Sequence, residues 1–180
     1  MPKSKFFAVF AIIFFVSFLA FSESLPFGYG KIKLGMDVDS VKKTLKDIPD
    51  FGYRGDRDVS IAPASKEVII ETDASFLSQS FFDRCWFQFY EGKLYIITLN
   101  LNPARIDYYS VFKKLCEKYG NPHVLNPDKS VWKNDSVMMS LEKPLALKYV
   151  DAAQFKKLQD SSNVDKTESE KGRDKFLEEL

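Results

Sequence analysis

The sequence predicts an α+β fold built from two tandem units, each a helix followed by strands, with an antiparallel sheet covered by helices on one face. Two observations support this prediction: two helical patterns with marked ends, and a cluster of strand-like runs after each of them. We place the units at about 31–101 and 102–151, within one α+β domain, 23–160. A chain of 180 residues is long enough for such a domain with a buried core.

The N-terminal segment, 1–22, has the pattern of a secretory signal peptide. Two lysines precede an apolar run, Phe6–Phe21, which ends in the small-residue stretch Ala20-Phe21-Ser22 that a signal peptidase recognises. The run is shorter than the ~20 residues that span a bilayer. We therefore expect an exported protein, periplasmic or secreted. An uncleaved N-terminal membrane anchor is the alternative.

The charge balance argues against nucleic acid as a partner. Removing the signal peptide takes two lysines from the 26 basic residues and leaves the 25 acidic ones, so the mature chain has a net charge of −1. Nucleic acids and anionic membrane surfaces are bound by a clustered basic excess. The sequence therefore predicts a partner of another kind.

The first unit contains a helix and the clearest strand signals of the chain. An apolar stripe at helical spacing follows Asp37, a suitable N-cap, and Pro49 stops the helix. Arg84–Asn102 consists of two β-rich runs around a Glu-Gly dipeptide, which predicts a hairpin. Upstream, Lys66–Asp73 is predicted as another strand, and Tyr53–Ile61 as a weaker one.

The second unit repeats this order. Its helix has an aromatic and aliphatic stripe and ends at Gly120, which can adopt the left-handed conformation, before Pro122. Strands are predicted within Ser130–Glu142 and Leu145–Val150. The polar and charged segment 161–180 cannot bury enough apolar surface to offset its ordering entropy, so we predict a charged, mobile tail.

Cysteine and histidine offer the sharpest catalytic hypothesis. Cys116 with His123, the only histidine, would form a nucleophile and base oriented by Asp128 or Asn126. However, Cys116 lies at the margin of an apolar helix face, where burial makes a thiol inert. An exported compartment also permits a disulfide between Cys85 and Cys116, and two buried, unbridged thiols are the open alternative. We predict no catalytic residue.

Cofactor and adhesion motifs are weak or missing in the sequence. The three cysteine and histidine residues are too few for structural zinc, and the Asp-x-Asp spacings do not continue into a calcium loop. No glycine-rich phosphate loop is present, so we predict no metal and no small-molecule cofactor. The Arg-Gly-Asp sequence at Arg54–Asp56 is more typical of an exposed turn than of an adhesion site.

Aromatic side chains are the better indication of a function. Several lie in segments predicted as loops or turns, and exposed aromatic clusters mark protein-binding surfaces. The candidate partner-binding residues are Phe76, Phe81, Phe82, Trp86 and Trp132.

One stretch, KIKLGMDVDSVKKTL, resembles the helix signature that opens the SmpA/OmlA-like (BamE-like) family. That signature is an apolar residue, Gly-Met, a capping residue and a helix with Val at its first buried turn, matched here by Leu34, Gly35-Met36, Asp37 and Val41. The later YGNP and VWKND sequences look like a second copy. Tandem copies are the plan of the β-lactamase-inhibitor-like proteins, which share this fold.

The resemblance covers about 31–150 in the order of elements, and it implies a non-catalytic protein. These families bind other proteins through an exposed sheet face and adjacent loops. The chain departs from the BamE-like pattern because it lacks the lipidated cysteine and carries two units, which argues against a role in outer-membrane assembly, and no binding residue is transferred. We therefore expect an exported interaction module of the cell envelope whose partner is another envelope or extracellular protein. An extracytoplasmic enzyme is the alternative.

Overall fold

The computed structural model describes residues 24–61 and 66–178. The predicted signal peptide, 1–22, and the alternative membrane anchor lie outside the described residues. Within the described part of the chain, no helix is long and apolar enough to cross a membrane.

The described part of the first half of the chain contains one helix, a small hairpin and four longer strands. Asp37 caps the helix, because its carboxylate accepts a hydrogen bond from the Ser40 N–H over 2.9 Å. Two short 3-10 turns, Pro49–Phe51 and Asp56–Asp58, follow the helix. The elements are β1 (Gly28–Tyr29), β2 (Ile32–Lys33), α1 (Val38–Lys46), β3 (Val59–Ile61), β4 (Glu67–Asp73), β5 (Phe82–Tyr90) and β6 (Lys93–Leu101).

The second half begins with a helix that is capped in the same way. Asp107 accepts a hydrogen bond from the Ser110 N–H over 2.9 Å, and the helix ends at Tyr119, before Gly120, whose φ of 75° favours glycine while its ψ of −170° lies outside the left-handed helical conformation. The predicted helix stop is therefore confirmed. The elements are α2 (Tyr108–Tyr119), β7 (Val124–Leu125), β8 (Lys129–Lys133), β9 (Val137–Glu142), β10 (Ala146–Asp151) and α3 (Ala152–Glu178).

The fold is dominated by one antiparallel eight-stranded sheet in the order β3-β4-β5-β6-β10-β9-β8-β7, beside the two-stranded sheet of β1 and β2. The predicted fold class, α+β with two tandem helix-then-strands units, is wrong. Strand β6 from the first half pairs directly with β10 from the second, with Leu99 opposite Leu147. This pairing makes one continuous sheet with a shared core. It also covers the edges of β6 and β10, whose backbone groups would be unpaired if the two halves formed separate sheets.

The main core lies on one face of the sheet. Helices α1 and α2 contribute to it, through Val41 and Leu45 of α1 and through Val111 and Leu115 of α2. The largest fully buried side chain in the described part is Trp132. The aromatic content of the sequence is thus used mainly for packing, as buried rings supply large apolar areas.

A smaller cluster occupies the opposite face of the sheet. It consists of Tyr95, Ile96 and Val150, against which Leu158 from the start of α3 packs. The predicted mobile tail, 161–180, includes the C-terminal part of α3, which ends at Glu178. Its mobility stays a prediction.

Candidate functional site

An apolar groove of about 350 Å³ between α2 and the loop before β5 is the best candidate site. Its volume lies in the range of small-ligand and side-chain pockets. Aliphatic and aromatic side chains from several elements form most of its surface, with three polar residues among them. The groove is lined by Tyr29, Asp50, Phe81, Phe82, Leu101, Ile106, Ser110, Val111, Lys114, Leu115 and Leu147.

Hydrogen bonds hold the loop that forms one wall of the groove. The Ser80 hydroxyl donates to the carbonyl oxygen of Asp50 over 2.7 Å and accepts from the N–H of Phe82 over 2.9 Å. Arg105, in the loop before α2, donates to the carbonyl oxygen of Ser78. Because these bonds tie the loop to both neighbouring segments, the groove is formed before any partner binds.

The opposite wall is the first half of α2. Val111 and Leu115 are one helical turn apart and face the core, while Ser110 and Lys114 form the exposed rim. The spacing of four residues places one polar and one apolar row side by side along the helix. A ligand in the groove would therefore meet apolar side chains inside and polar groups at the edge.

The charged residues that line the groove differ in their surroundings. Lys114 lies 3.2 Å from a carboxylate oxygen of Glu117 on the same helix. No ion pair is found for the Asp50 carboxylate among the described residues. Burial of the Tyr29 ring and the nearby charge of Asp50 raise the pKa of the Tyr29 hydroxyl. The tyrosine is therefore a neutral hydrogen-bonding group at neutral pH.

The structure separates the five aromatic residues predicted to bind a partner. Phe81 is 51% exposed and lines the groove, and Phe76 is 62% exposed on the same loop. Phe82 is 5% exposed and belongs to the core, and Trp86 is half-buried on the sheet face away from the main core. Trp132 is fully buried. Phe82 and Trp132 are therefore packing residues, since neither presents a ring to solvent.

Most of the groove could not be identified from the sequence. Tyr29 follows the glycine of a two-residue strand, and Leu101, Ile106 and Leu147 come from three further segments. Only Phe81 and Phe82 belong both to the predicted set and to the lining. The one useful signal was a large apolar residue, Phe81, in a segment with the composition of a loop.

The candidate catalytic pair is not assembled. No hydrogen bond joins Cys116 to His123; the imidazole Nδ1 instead accepts from the backbone N–H of Lys133 over 3.3 Å. Burial raises the pKa of the Cys116 thiol, which disfavours the nucleophilic thiolate. Cys85 and Cys116 are both free, so the structure contains no disulfide between them.

A second, polar cleft of about 250 Å³ includes part of the Arg-Gly-Asp sequence. Arg54 binds the fully buried side chain of Asp58, with its guanidinium nitrogens 2.8 and 3.0 Å from a carboxylate oxygen. Asp56 accepts from the Lys42 ammonium group over 3.0 Å. Both charged side chains of the motif are therefore engaged within the chain. The cleft is lined by Arg54, Arg57, Asp58, Ser60, Glu71, Asp73 and Arg84.

Metal ligation has no support in the described residues, where no group of three or more cysteine, histidine or acidic side chains could hold an ion. The residues that line the groove themselves offer apolar contact, hydrogen bonding at the rim and the carboxylate of Asp50.

A family model matches most of the chain. The model of a family described as the TP0088 domain matches residues 27–161. The matched range begins just before β1 and ends within α3, so it includes the whole sheet and every residue that lines the groove. No curated protein and no solved structure matches the chain.

Proposed function

We propose that this chain, which belongs to the TP0088 domain family, is an exported, non-catalytic interaction module of the cell envelope that binds another protein through its apolar groove. The observation that carries the proposal is the groove itself, with the half-exposed ring of Phe81 at its edge. Protein interfaces are built around large apolar side chains that fill such pockets, and a few of them supply most of the binding energy.

The hydrogen bonds that hold the loop wall support a role in binding. The loop wall is fixed by the Ser80 and Arg105 hydrogen bonds, so little conformational entropy is lost when a partner binds. Phe76, on the same loop, adds a second exposed ring outside the groove. A partner that inserts one side chain beside Phe81 can extend its contact over this loop.

An enzyme that uses Cys116 and His123 is the weaker alternative. The imidazole is bonded to the backbone of β8, and the thiol is held on the partly buried side of α2. Nucleophilic catalysis requires the base within hydrogen-bond reach of the nucleophile. The groove also lacks a histidine or a pair of acidic residues, which acid–base chemistry would use.

The signal-peptide pattern of 1–22 supports export, and the resemblance to the BamE-like family supports an envelope or extracellular protein as the partner. N-terminal sequencing of the chain recovered from outside the cytoplasm tests export. A mature start near Glu23 supports it, whereas an intact Met1 in the membrane fraction supports an uncleaved anchor.

Binding is tested by capture of envelope proteins on the immobilised mature chain, followed by affinity measurement with each purified candidate. Phe81→Ala removes the ring at the groove edge, and Ser110→Trp fills the groove from its exposed rim. Phe76→Ala is the matched control, since Phe76 is an exposed phenylalanine of the same loop that does not line the groove. Truncation of an interface anchor typically costs ~2 kcal/mol or more, so Phe81→Ala should weaken affinity by roughly thirtyfold.

The controls separate groove binding from other outcomes. Phe76→Ala should change affinity less than Phe81→Ala, and all three variants should retain the native circular dichroism spectrum. Binding that is unchanged by both Phe81→Ala and Ser110→Trp would contradict the proposal. So would a catalytic activity that disappears in a folded His123→Ala variant.

A further inference from the structure

The charges along the groove indicate which kind of partner side chain lies next to the apolar side chain that enters it. Two charged side chains line the groove, and only one is neutralised: Lys114 is paired with Glu117, whereas the Asp50 carboxylate has no ion pair among the described residues. The end of the groove that carries Asp50 is therefore acidic. A complementary ligand presents a cation at this position.

We propose that the partner segment carries a lysine or arginine next to the large apolar residue that fills the groove, and that this cation binds Asp50. This inference rests on the proposed function, because it names the chemistry of the partner for the same groove. The apolar residue occupies the space between Phe81 and α2, and the cation lies at the rim beside Asp50 and Tyr29.

The position of the Asp50 backbone is fixed, which makes its carboxylate a suitable recognition group. Asp50 lies in the 3-10 turn Pro49–Phe51, and the Ser80 hydroxyl donates to its carbonyl oxygen. The next side chain, Phe51, is fully buried and stacks on Phe82. The backbone of Asp50 is thus anchored to the core while the residue itself is exposed at the groove edge, so only its side chain has to be ordered when a cation binds.

Tyr29, with its neutral hydroxyl, also lines the groove near Asp50. Its ring packs edge-on against Phe51 and Phe82, with centroid distances of 6.2 and 5.4 Å. A lysine or arginine has an apolar stem that can lie along such rings while its charged head remains at the rim. An acidic residue at the same place would meet the Asp50 carboxylate and would be repelled.

The test uses three synthetic peptides of the form acetyl-Gly-Ser-Leu-X-Y-Ser-Gly-amide, in which X-Y is Phe-Lys, Phe-Glu or Ser-Lys. Binding to the mature chain is measured by NMR titration at low and at high salt. The protein variants are Asp50→Asn, the groove-filling Ser110→Trp, and Asp47→Asn. Asp47 is the matched control, because it is an exposed acidic residue at the end of α1 that does not line the groove.

We expect Phe-Lys to bind tightest and Ser-Lys weakest. An exposed ion pair contributes ~0.2–1 kcal/mol, so Asp50→Asn should weaken the binding of the Phe-Lys peptide by roughly 1.4- to fivefold and should reduce its salt dependence. Asp47→Asn should change neither the affinity of the Phe-Lys peptide nor its salt dependence. Ser110→Trp should weaken the binding of both phenylalanine peptides.

Two results would overturn the inference. If Phe-Lys and Phe-Glu bind equally and both are lost in Ser110→Trp, the groove binds apolar groups without regard to charge, and the proposed function remains. If a purified partner requires Phe81 but binds Asp50→Asn as tightly as the natural chain and with the same salt dependence, the basic character of the segment is wrong although the groove is an interface.

Discussion

The rings of Phe51 and Phe82 stack with their centroids 4.4 Å apart and their planes 13° from parallel. Both side chains are buried, and Phe82 also lines the inner surface of the groove. Phe81, its neighbour in sequence, is half exposed, because successive side chains of an extended segment point to opposite sides. Two adjacent phenylalanines therefore serve different purposes, one in packing and the other at the groove edge.

Phe82→Ala is expected to destabilise the fold, whereas Phe81→Ala is not. Removing a buried phenylalanine costs ~3–5 kcal/mol, since it leaves a cavity and loses the stacked contact with Phe51. An exposed substitution usually changes stability by less than ~0.5 kcal/mol. Urea denaturation of the two variants measures the difference. Equal destabilisation would contradict the assignment of Phe81 to the surface.

Asp58→Ala should lower the free energy of unfolding by ~1–3 kcal/mol. The buried carboxylate of Asp58 accepts hydrogen bonds from the backbone N–H and the guanidinium group of Arg54, and the substitution leaves these donors without their acceptor. Asp56→Ala is the matched control, because its pair with Lys42 is on the surface, where ion pairs contribute little. Thermal denaturation should show a clear shift for Asp58→Ala and almost none for the control.

The hairpin of β5 and β6 shows how much local structure the sequence could predict. Its strands occupy Phe82–Tyr90 and Lys93–Leu101, and the predicted Glu91-Gly92 turn lies between them. Both turn residues have positive φ, 49° and 74°, as two-residue hairpin turns require. Alternating apolar residues and a turn dipeptide are local signals, and they were sufficient here.

The arrangement of the strands could not be predicted in the same way. Pairing of β6 with β10 joins residues such as Leu99 and Leu147, which are far apart in sequence, and no local pattern records such a pairing. The two-residue strands β1, β2 and β7 are too short for a period of two to be detected. The groove could not be predicted for the same reason, since the same strand pairings bring its lining residues together from distant segments.

Trp132→Phe should destabilise the protein without changing the affinity of the groove for a partner. The indole Nε1 of Trp132 donates to the carbonyl oxygen of Gly120 over 2.8 Å, and the ring packs against Phe112. Phenylalanine keeps most of the packing but leaves this carbonyl without its donor, which costs ~1–3 kcal/mol. Stability is measured in urea and affinity at a temperature where the variant is folded. A loss of affinity at that temperature would show that Trp132 contributes to partner binding.

Stability should fall as the pH rises above about 9, in part because of Cys85. Burial raises the pKa of the Cys85 thiol from its ordinary value of 9.0 to about 12. Above pH 9 the unfolded chain releases this proton while the folded chain keeps it, so alkaline pH favours unfolding. One such group lowers the free energy of unfolding by at most about 1.4 kcal/mol per pH unit, and the loss continues until the folded thiol itself ionises near pH 12.

Cys85→Ala isolates this contribution. The variant should show a shallower decline of urea midpoints between about pH 9 and pH 10 than the natural chain, whatever its stability at neutral pH. Above that range the decline should persist in both proteins, because burial also raises the pKa of the Tyr149 hydroxyl. Identical slopes in the two proteins between pH 9 and pH 10 would mean that the Cys85 thiol ionises as readily in the folded state as in the unfolded chain.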